Sequence, residues 1–308
     1  QALQTPDIEP LTERTTKITS SQREPIQPLP LTISYDQGKY YLGEKLFNEP
    51  RLSVTQKISC ASCHSLDAGG ADSRRYSKGV NNALTQINTP TVFNLAYNFR
   101  FNWDGQHTNL FDHTNDIIED PTIMGSTWEE IKTKITSIEE YQRAFREIYD
   151  GSINKETVTD AIVTYQSALI TPNGAFDRYL RGEQTALSAD EKAGYDLFKG
   201  YGCVSCHQGV NVGGNMFQKF SIIDDYFVDR GNITKADWGR FNVTGEEADR
   251  YTFRVPSLRN VAITPPYLHD GTVSTLTEAI EIMVKYQLGR PIPQTDVERI
   301  AKFLETLT

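Results

Sequence analysis

Two five-residue motifs constrain this chain more than anything else in it. Cys60-Ala61-Ser62-Cys63-His64 and Cys203-Val204-Ser205-Cys206-His207 hold all four cysteines of the 308 residues, at identical spacing. C-x-x-C-H is the attachment signature of c-type haem, in which two thiols add across the porphyrin vinyl groups and the next residue carries an imidazole beneath the iron. The same cysteines could form a redox pair, a four-cysteine zinc site or two disulfides. A zinc site has no need of a His after each pair, and a thioredoxin-like motif does not normally occur twice. The motifs are therefore read as two covalent haem c sites, with every thiol committed and no disulfide expected. Haem of this kind is assembled outside the bacterial cytoplasm, which predicts a periplasmic or otherwise exported protein. The sequence opens at Gln1 on polar residues without the basic and apolar regions of a leader, so a signal peptide is expected to have been removed or left out of it.

Composition narrows the partners. A net charge of −9 and an isoelectric point of about 5.2 argue against nucleic acid, whose phosphates call for a basic surface. Hydrophobic content of 38%, aromatic content of 10% and mean hydropathy of −0.48 fit neither a disordered chain nor a membrane bundle. No apolar run approaches the ~18 residues of a transmembrane helix, so no membrane segment is expected.

The chain is organised as an arm and a weak repeat. Residues 1 to about 35, rich in Thr, Pro, Gln and Ser, read as an extended arm, with a docking segment or tether as the alternative. Leu42-Gly43-Glu44-Lys45-Leu46-Phe47 precedes the first motif and Ala193-Gly194-Tyr195-Asp196-Leu197-Phe198 the second, each reading as a helix packed beside a haem. Ser188 with Glu191, Ser126 with Glu129 and Thr275 with Glu278 mark further helix starts. Segments 157–169 and 295–307 carry helical periodicity, and strand-like alternation is scarce. Long irregular loops are expected over 65–92 and 208–245. The predicted fold is mostly α: two cytochrome c-like domains over 36–183 and 184–308.

Further motifs occur in a fixed order. Thr89-Pro90-Thr91-Val92-Phe93-Asn94 is followed by Trp103-Asp104-Gly105, then Val255-Pro256-Ser257-Leu258-Arg259-Asn260-Val261 and Pro266-Tyr267-Leu268-His269-Asp270-Gly271. Over about residues 36–308 this set resembles the bacterial di-haem cytochrome c peroxidases and their MauG relatives. The resemblance implies a peroxide-reactive haem on His64 and an electron-transfer haem ligated by His207 and Met283. Read from the residues alone, Met283 on an amphipathic helix could be plain core, and Met216 is a rival ligand. The resemblance also implies an inter-haem tryptophan at Trp103 and a calcium ion held by Asn88 and the backbone carbonyls of Thr264 and Pro266. It further implies a small cytochrome or cupredoxin as electron donor, H2O2 as substrate and a homodimer.

The sequence departs from the family at the peroxide site. Relatives often hold a blocking His in the loop after the first motif, but residues 67–88 contain none. Where most relatives have Glu in Pro-x-Glu-Met-Gly, this chain reads Pro121-Thr122-Ile123-Met124-Gly125. The family's distal Gln is matched by His113, which can exchange protons near neutral pH, ligate the iron, or be merely structural. His107 has no matched role, and His269 reads as structural or as tuning the electron path. Three functions follow: a peroxide reductase, a MauG-like oxidase of Trp or Tyr in a partner protein, and a non-catalytic electron carrier or redox sensor. Met283 leans away from the second, because members with that chemistry can carry Tyr there.

Overall fold

The computed structural model describes residues 24–308. Its helices in chain order are α1 (Gln37–Phe47), α2 (Leu110–Glu119), α3 (Trp128–Thr136), α4 (Glu139–Tyr149), α5 (Lys155–Ala168), α6 (Ala175–Leu180), α7 (Ala189–Gly200), α8 (Tyr226–Arg230), α9 (Phe241–Thr244), α10 (Leu276–Met283) and α11 (Gln294–Glu305). Among the described residues the only sheet is β1 (Phe217–Lys219) paired antiparallel with β2 (Thr252–Arg254). The mostly α fold is thus as expected. No helix of the described residues is long and apolar enough to cross a membrane.

Local chemistry sets most helix starts. Ser188 and Glu191 close a capping box at α7, and the Thr275 hydroxyl accepts from Glu278 N at α10. The expected start at Ser126 moves by one residue. Ser126 is buried, and its backbone N–H bonds Ile118 O. Thr127 and Glu130 form the box instead.

The weak repeat is a structural duplication. Helix α1 lies on α5, and α7 lies on α11. In each pair a glycine makes the close approach possible: a Cβ at Gly43 would run into Ala161 O, and one at Gly194 into Arg299 O. After each pair the chain repeats a further device. Asn94 and Asn260 both adopt left-handed backbone (φ 59° and 61°), and each opens a 3-10 turn. Asn94 N–H bonds Leu169 O at the end of α5, and Asn260 N–H bonds Leu307 O beyond α11.

Three expectations need adjustment. Phe176 and Leu180 lie before the anticipated division at 184, yet both pack in the core of the second unit. There Phe176 meets Tyr195 and Phe303 at centroid distances of 4.7 and 4.9 Å. The arm expected over 1–35 falls outside the described residues as far as 23. Beyond them it is fastened, not free. Ile26 and Leu29 are buried, Gly209 N–H bonds Pro25 O, and the buried Arg259–Asp177 pair reaches Gln27 O and Leu29 N. The 208–245 loop, read as irregular, contains β1, α8 and α9, because Phe220, Tyr226 and Phe227 have a core of their own to fill.

The helix contacts generate a test. Gly194→Ala should lower the unfolding free energy by about 1–3 kcal/mol through overpacking against a backbone carbonyl. Gly200→Ala, at an open position of the same helix, should leave it unchanged or slightly higher. Urea unfolding of the two variants checks this.

Candidate haem sites and their junction

Both C-x-x-C-H segments fold into the same turn. Cys60 O accepts from Cys63 N (3.2 Å) and His64 N (2.9 Å), and Cys203 O accepts from Cys206 N (3.2 Å) and His207 N (3.0 Å). The two thiols and the imidazole of each motif thus come from one 3-10 turn, and all four cysteines are free. Behind His64, Gly70 O accepts from the ring Nδ1 at 3.0 Å and from Val92 N at 2.9 Å. That bond leaves Nε2 as the lone-pair nitrogen. Gly70 has φ +77°, and a Cβ there would sit 2.8 Å from Thr91 Oγ1 and 2.9 Å from the Phe93 ring. The Thr-Pro-Thr-Val-Phe stretch is therefore the wall behind the imidazole.

His207 has the matching wall in 212–214 and 255–256. Its Nδ1 is buried beside the Val212 and Pro256 carbonyls, without a well-formed hydrogen bond. A Cβ at Gly213 would run into Pro256 O and lie 3.4 Å from that Nδ1. Burial pushes the His207 imidazole down to about 4 and also lowers that of His64, so both rings are neutral donors at physiological pH.

Met283 ends α10, where the helix widens into a π-turn over Val284–Leu288. On this helix Ile280 and Val284 join the cluster that contains Cys203. Ile282 and Met283 join a second cluster with Trp103, Phe227 and Phe253. Of the other methionines, Met124 is core. Met216 O accepts from Val255 N, on the segment that runs behind the His207 Nδ1 face.

Trp103 stands at the junction of the units. Its Nε1 donates to Asn88 O (2.9 Å), its carbonyl accepts from Arg254 N (2.8 Å), and its ring meets the His269 edge at 6.4 Å. Asn88 N–H bonds His269 O and the Asn88 amide donates to Arg74 O, so the loop after the first motif is tied to the 266–271 turn. Thr264 lies beside Gly69 in the same loop. His269 is buried with Nε2 2.7 Å from Asp237 Oδ1. Arg230 bridges Asp237 (2.8 Å) and Asp270 (2.5 Å), so its guanidinium fills the place where those carboxylates could otherwise hold a cation. Arg230 and Asp237 belong to no motif, and no sequence signal marked them.

His113 projects from α2 with its Nε2 2.9 Å from Asn102 Oδ1, which makes Nε2 the donor and Nδ1 the lone-pair nitrogen; Nδ1 is buried and unpartnered. Phe101 and Leu110, both before it in sequence, pack in the cluster that contains Cys60 and Phe93. Burial above all, with a smaller contribution from the Arg254 charge, pushes its imidazole down to about 3. The near-neutral titration expected for His113 is thus corrected: the ring is neutral at physiological pH. His107 is buried against it, at 5.4 Å between rings, and meets Asp116 at 3.3 Å. Ile123 packs on the first unit's core, and its carbonyl accepts from Val80 N.

One buried charge stands apart. Arg259 has Asp177 and Arg230 has two aspartates, but Arg254, 4% exposed, has no carboxylate within ion-pair range among the described residues. Its guanidinium reaches only Asn102 O (3.2 Å) and Asn98 Oδ1 (3.4 Å), and burial lowers it to about 10.

Free thiol pairs on matched turns, neutral imidazoles held from behind and an uncompensated buried cation all fit haem, a flat apolar group with two carboxylates. Two such sites joined by a tryptophan define a di-haem cytochrome-type protein. A family model described as di-haem cytochrome c peroxidase matches residues 37–185. The chain is 44% identical to the cytochrome c peroxidase Ccp of Escherichia coli K12 over 287 residues, 93% of this chain and 61% of that protein. It is 40% identical to the cytochrome c551 peroxidase of Nitrosomonas europaea over 92% of this chain and 84% of that one. A crystal structure of a MauG-like protein associated with microbial copper homeostasis superposes with a TM-score of 0.77 at 26% identity, covering 92% of this chain and 93% of the other. The chain belongs to the di-haem cytochrome c peroxidase and MauG family.

The depressed imidazole of His113 has a stability consequence. Its native value lies below the ordinary ~6.5 of an unfolded His, so the unfolded chain binds the extra proton and stability falls as pH drops from about 6.5 toward 3. His113→Gln should make that fall shallower by at most about 1.4 kcal/mol per pH unit. Denaturation midpoints measured against pH check it.

Proposed function

We propose that this chain reduces hydrogen peroxide at a haem on His64, drawing electrons through a second haem on His207 from a small cytochrome or cupredoxin. The observation that supports this reading is that Met283 and Trp103 pack against the same aromatic cluster of Phe220, Tyr226, Phe227, Phe253 and Tyr286. When bound, the haems supply the redox chemistry.

The chain's own residues do the rest. Cys60, Cys63, Cys203 and Cys206 hold the two haems covalently. His64 and His207 would supply the imidazoles that hold the two irons, and Met283 would offer its thioether to the His207 haem, a donor that favours reduced iron. Trp103 offers an aromatic path between the sites. Asn88 with the Thr264 and Pro266 carbonyls would hold a calcium ion, since oxygen donors suit that ion. Folding and haem attachment take place after export, and the working form is a homodimer. The first unit carries the peroxide site and the second the electron-entry site.

His113 takes the proton-handling role left open by Ile123. Its buried, unpartnered Nδ1 accepts a proton from peroxide, and the resulting strong acid returns it to the departing oxygen. Engagement of Nε2 with Asn102 supports this role over iron ligation. The low imidazole value means that His113 stays competent across pH 5–8.

Steady-state turnover with H2O2 and a reduced donor protein tests the reading. His113→Gln should lower peroxide reduction by about 10²–10⁴-fold with peroxide binding retained, and no loss of activity traceable to His113 should occur between pH 5 and 8. Turnover of a partner protein's Trp or Tyr without donor-dependent peroxide reduction would establish the MauG-like reading instead. Two low-spin haems inert to peroxide would establish a carrier. Met283→His should lower the potential of the second haem and remove its long-wavelength methionine charge-transfer band. A band that persists would reassign that ligand to Met216.

A further inference from the structure

The junction of the two units contains a cation without an anion. Arg254 lies at the end of β2, opposite Phe217, and its backbone bonds Trp103 O. Two residues later Pro256 forms the wall behind His207, while Asn102, which takes the Arg254 Nε donor, also accepts from His113. The guanidinium therefore lies between the two haem sites. Its two neutral acceptors are a backbone carbonyl and the Asn98 amide oxygen, and that amide oxygen is shared with Asn211 Nδ2. A buried charge facing only neutral dipoles is costly, and buried ion sites are normally matched by an opposite charge. The other buried arginine, Arg259, obeys that rule with Asp177, and the half-buried Arg230 does so with Asp237 and Asp270.

We propose that Arg254 is the binding residue for a haem propionate at the junction, a carboxylate brought by the cofactor and not by the chain. The planar fork suits bidentate carboxylate recognition. The same side chain pins Asn98 and Asn102, so the contact couples haem seating to the segment that carries Trp103 and orients His113. A fixed positive charge beside a haem favours the ferrous state, which has one positive charge fewer than the ferric state.

The inference rests on the two-haem reading, and the test separates the two. Haem content is counted first, by pyridine haemochrome spectra of the haem-loaded native protein; absence of haem would sink the underlying reading. Arg254→Met and Arg254→Lys are then compared by spectroelectrochemical titration. Arg254→Met should shift the ferrous-to-ferric equilibrium of one haem toward ferric by roughly tenfold or more, leaving the other within error. Arg254→Lys, which keeps the charge, should recover most of the shift. The haem that moves identifies the propionate's owner. The shift should be the same at low and high chloride. A chloride-dependent potential would assign the site to a diffusible anion and overturn the proposal. Two haems with unchanged potentials in Arg254→Met would also overturn it. Failure of both variants to fold would do the same, because the fork's bonds to Asn98 and Asn102, and not its charge, would then be what the fold needs.

Discussion

Everything in this protein is arranged around holding two imidazoles from behind with backbone. His64 rests on the Gly70 carbonyl and His207 against the Val212 and Pro256 carbonyls. In each case a left-handed or open glycine lets a second strand of chain come within contact distance, where any side chain would collide. This is why two loops with little secondary structure are ordered. The ring sets the position of the wall, and the wall fixes which nitrogen is left to act as a donor. The paired helices serve that purpose at one remove, since α1 with α5 and α7 with α11 deliver the Asn94 and Asn260 turns that close each wall.

Between the two walls the protein concentrates its buried polar chemistry. Asp237, His269, Arg230 and Asp270 form one closed group, and Asp177 with Arg259 forms another. The first group backs the ring that touches Trp103. The second binds residues 27–29 and the 208–213 turn to α6. Satisfied networks of this kind are rigid, because breaking one member strands a charge away from water. Rigidity here holds the Trp103 and His269 rings at constant separation across the junction.

Legibility in the sequence tracked how local the physics was. Capping boxes act over four residues, so Ser188 with Glu191 and Thr275 with Glu278 were readable. The one slip, Ser126 for Thr127, came from two adjacent hydroxyls whose roles are divided by burial. Gly43 and Gly194 stood in the repeat, but their reason, contact with a carbonyl more than 100 residues away, could not be seen there. His113 was placed by its match to the family position. Its depressed imidazole was not foreseen, because that depends on how much water the fold removes. Arg254 passed unnoticed because an arginine in a strand looks exposed until its neighbours are known.

By itself, the sequence determined the paired Cys–His motifs, the duplicated plan and the helical class, because each is written in short-range patterns: C-x-x-C-H, a helix before each motif, and apolar residues at helical spacing. The tertiary structure alone decided the environment. It placed Met283 in the Trp103 cluster, fastened residues 24–30 to the second unit, seated the Arg230 guanidinium among the Asp237 and Asp270 carboxylates, and left Arg254 without a counter-charge. These outcomes depend on burial and on contacts between residues far apart in the chain. Desolvation and long-range pairing are properties of the folded arrangement and have no counterpart in residue order.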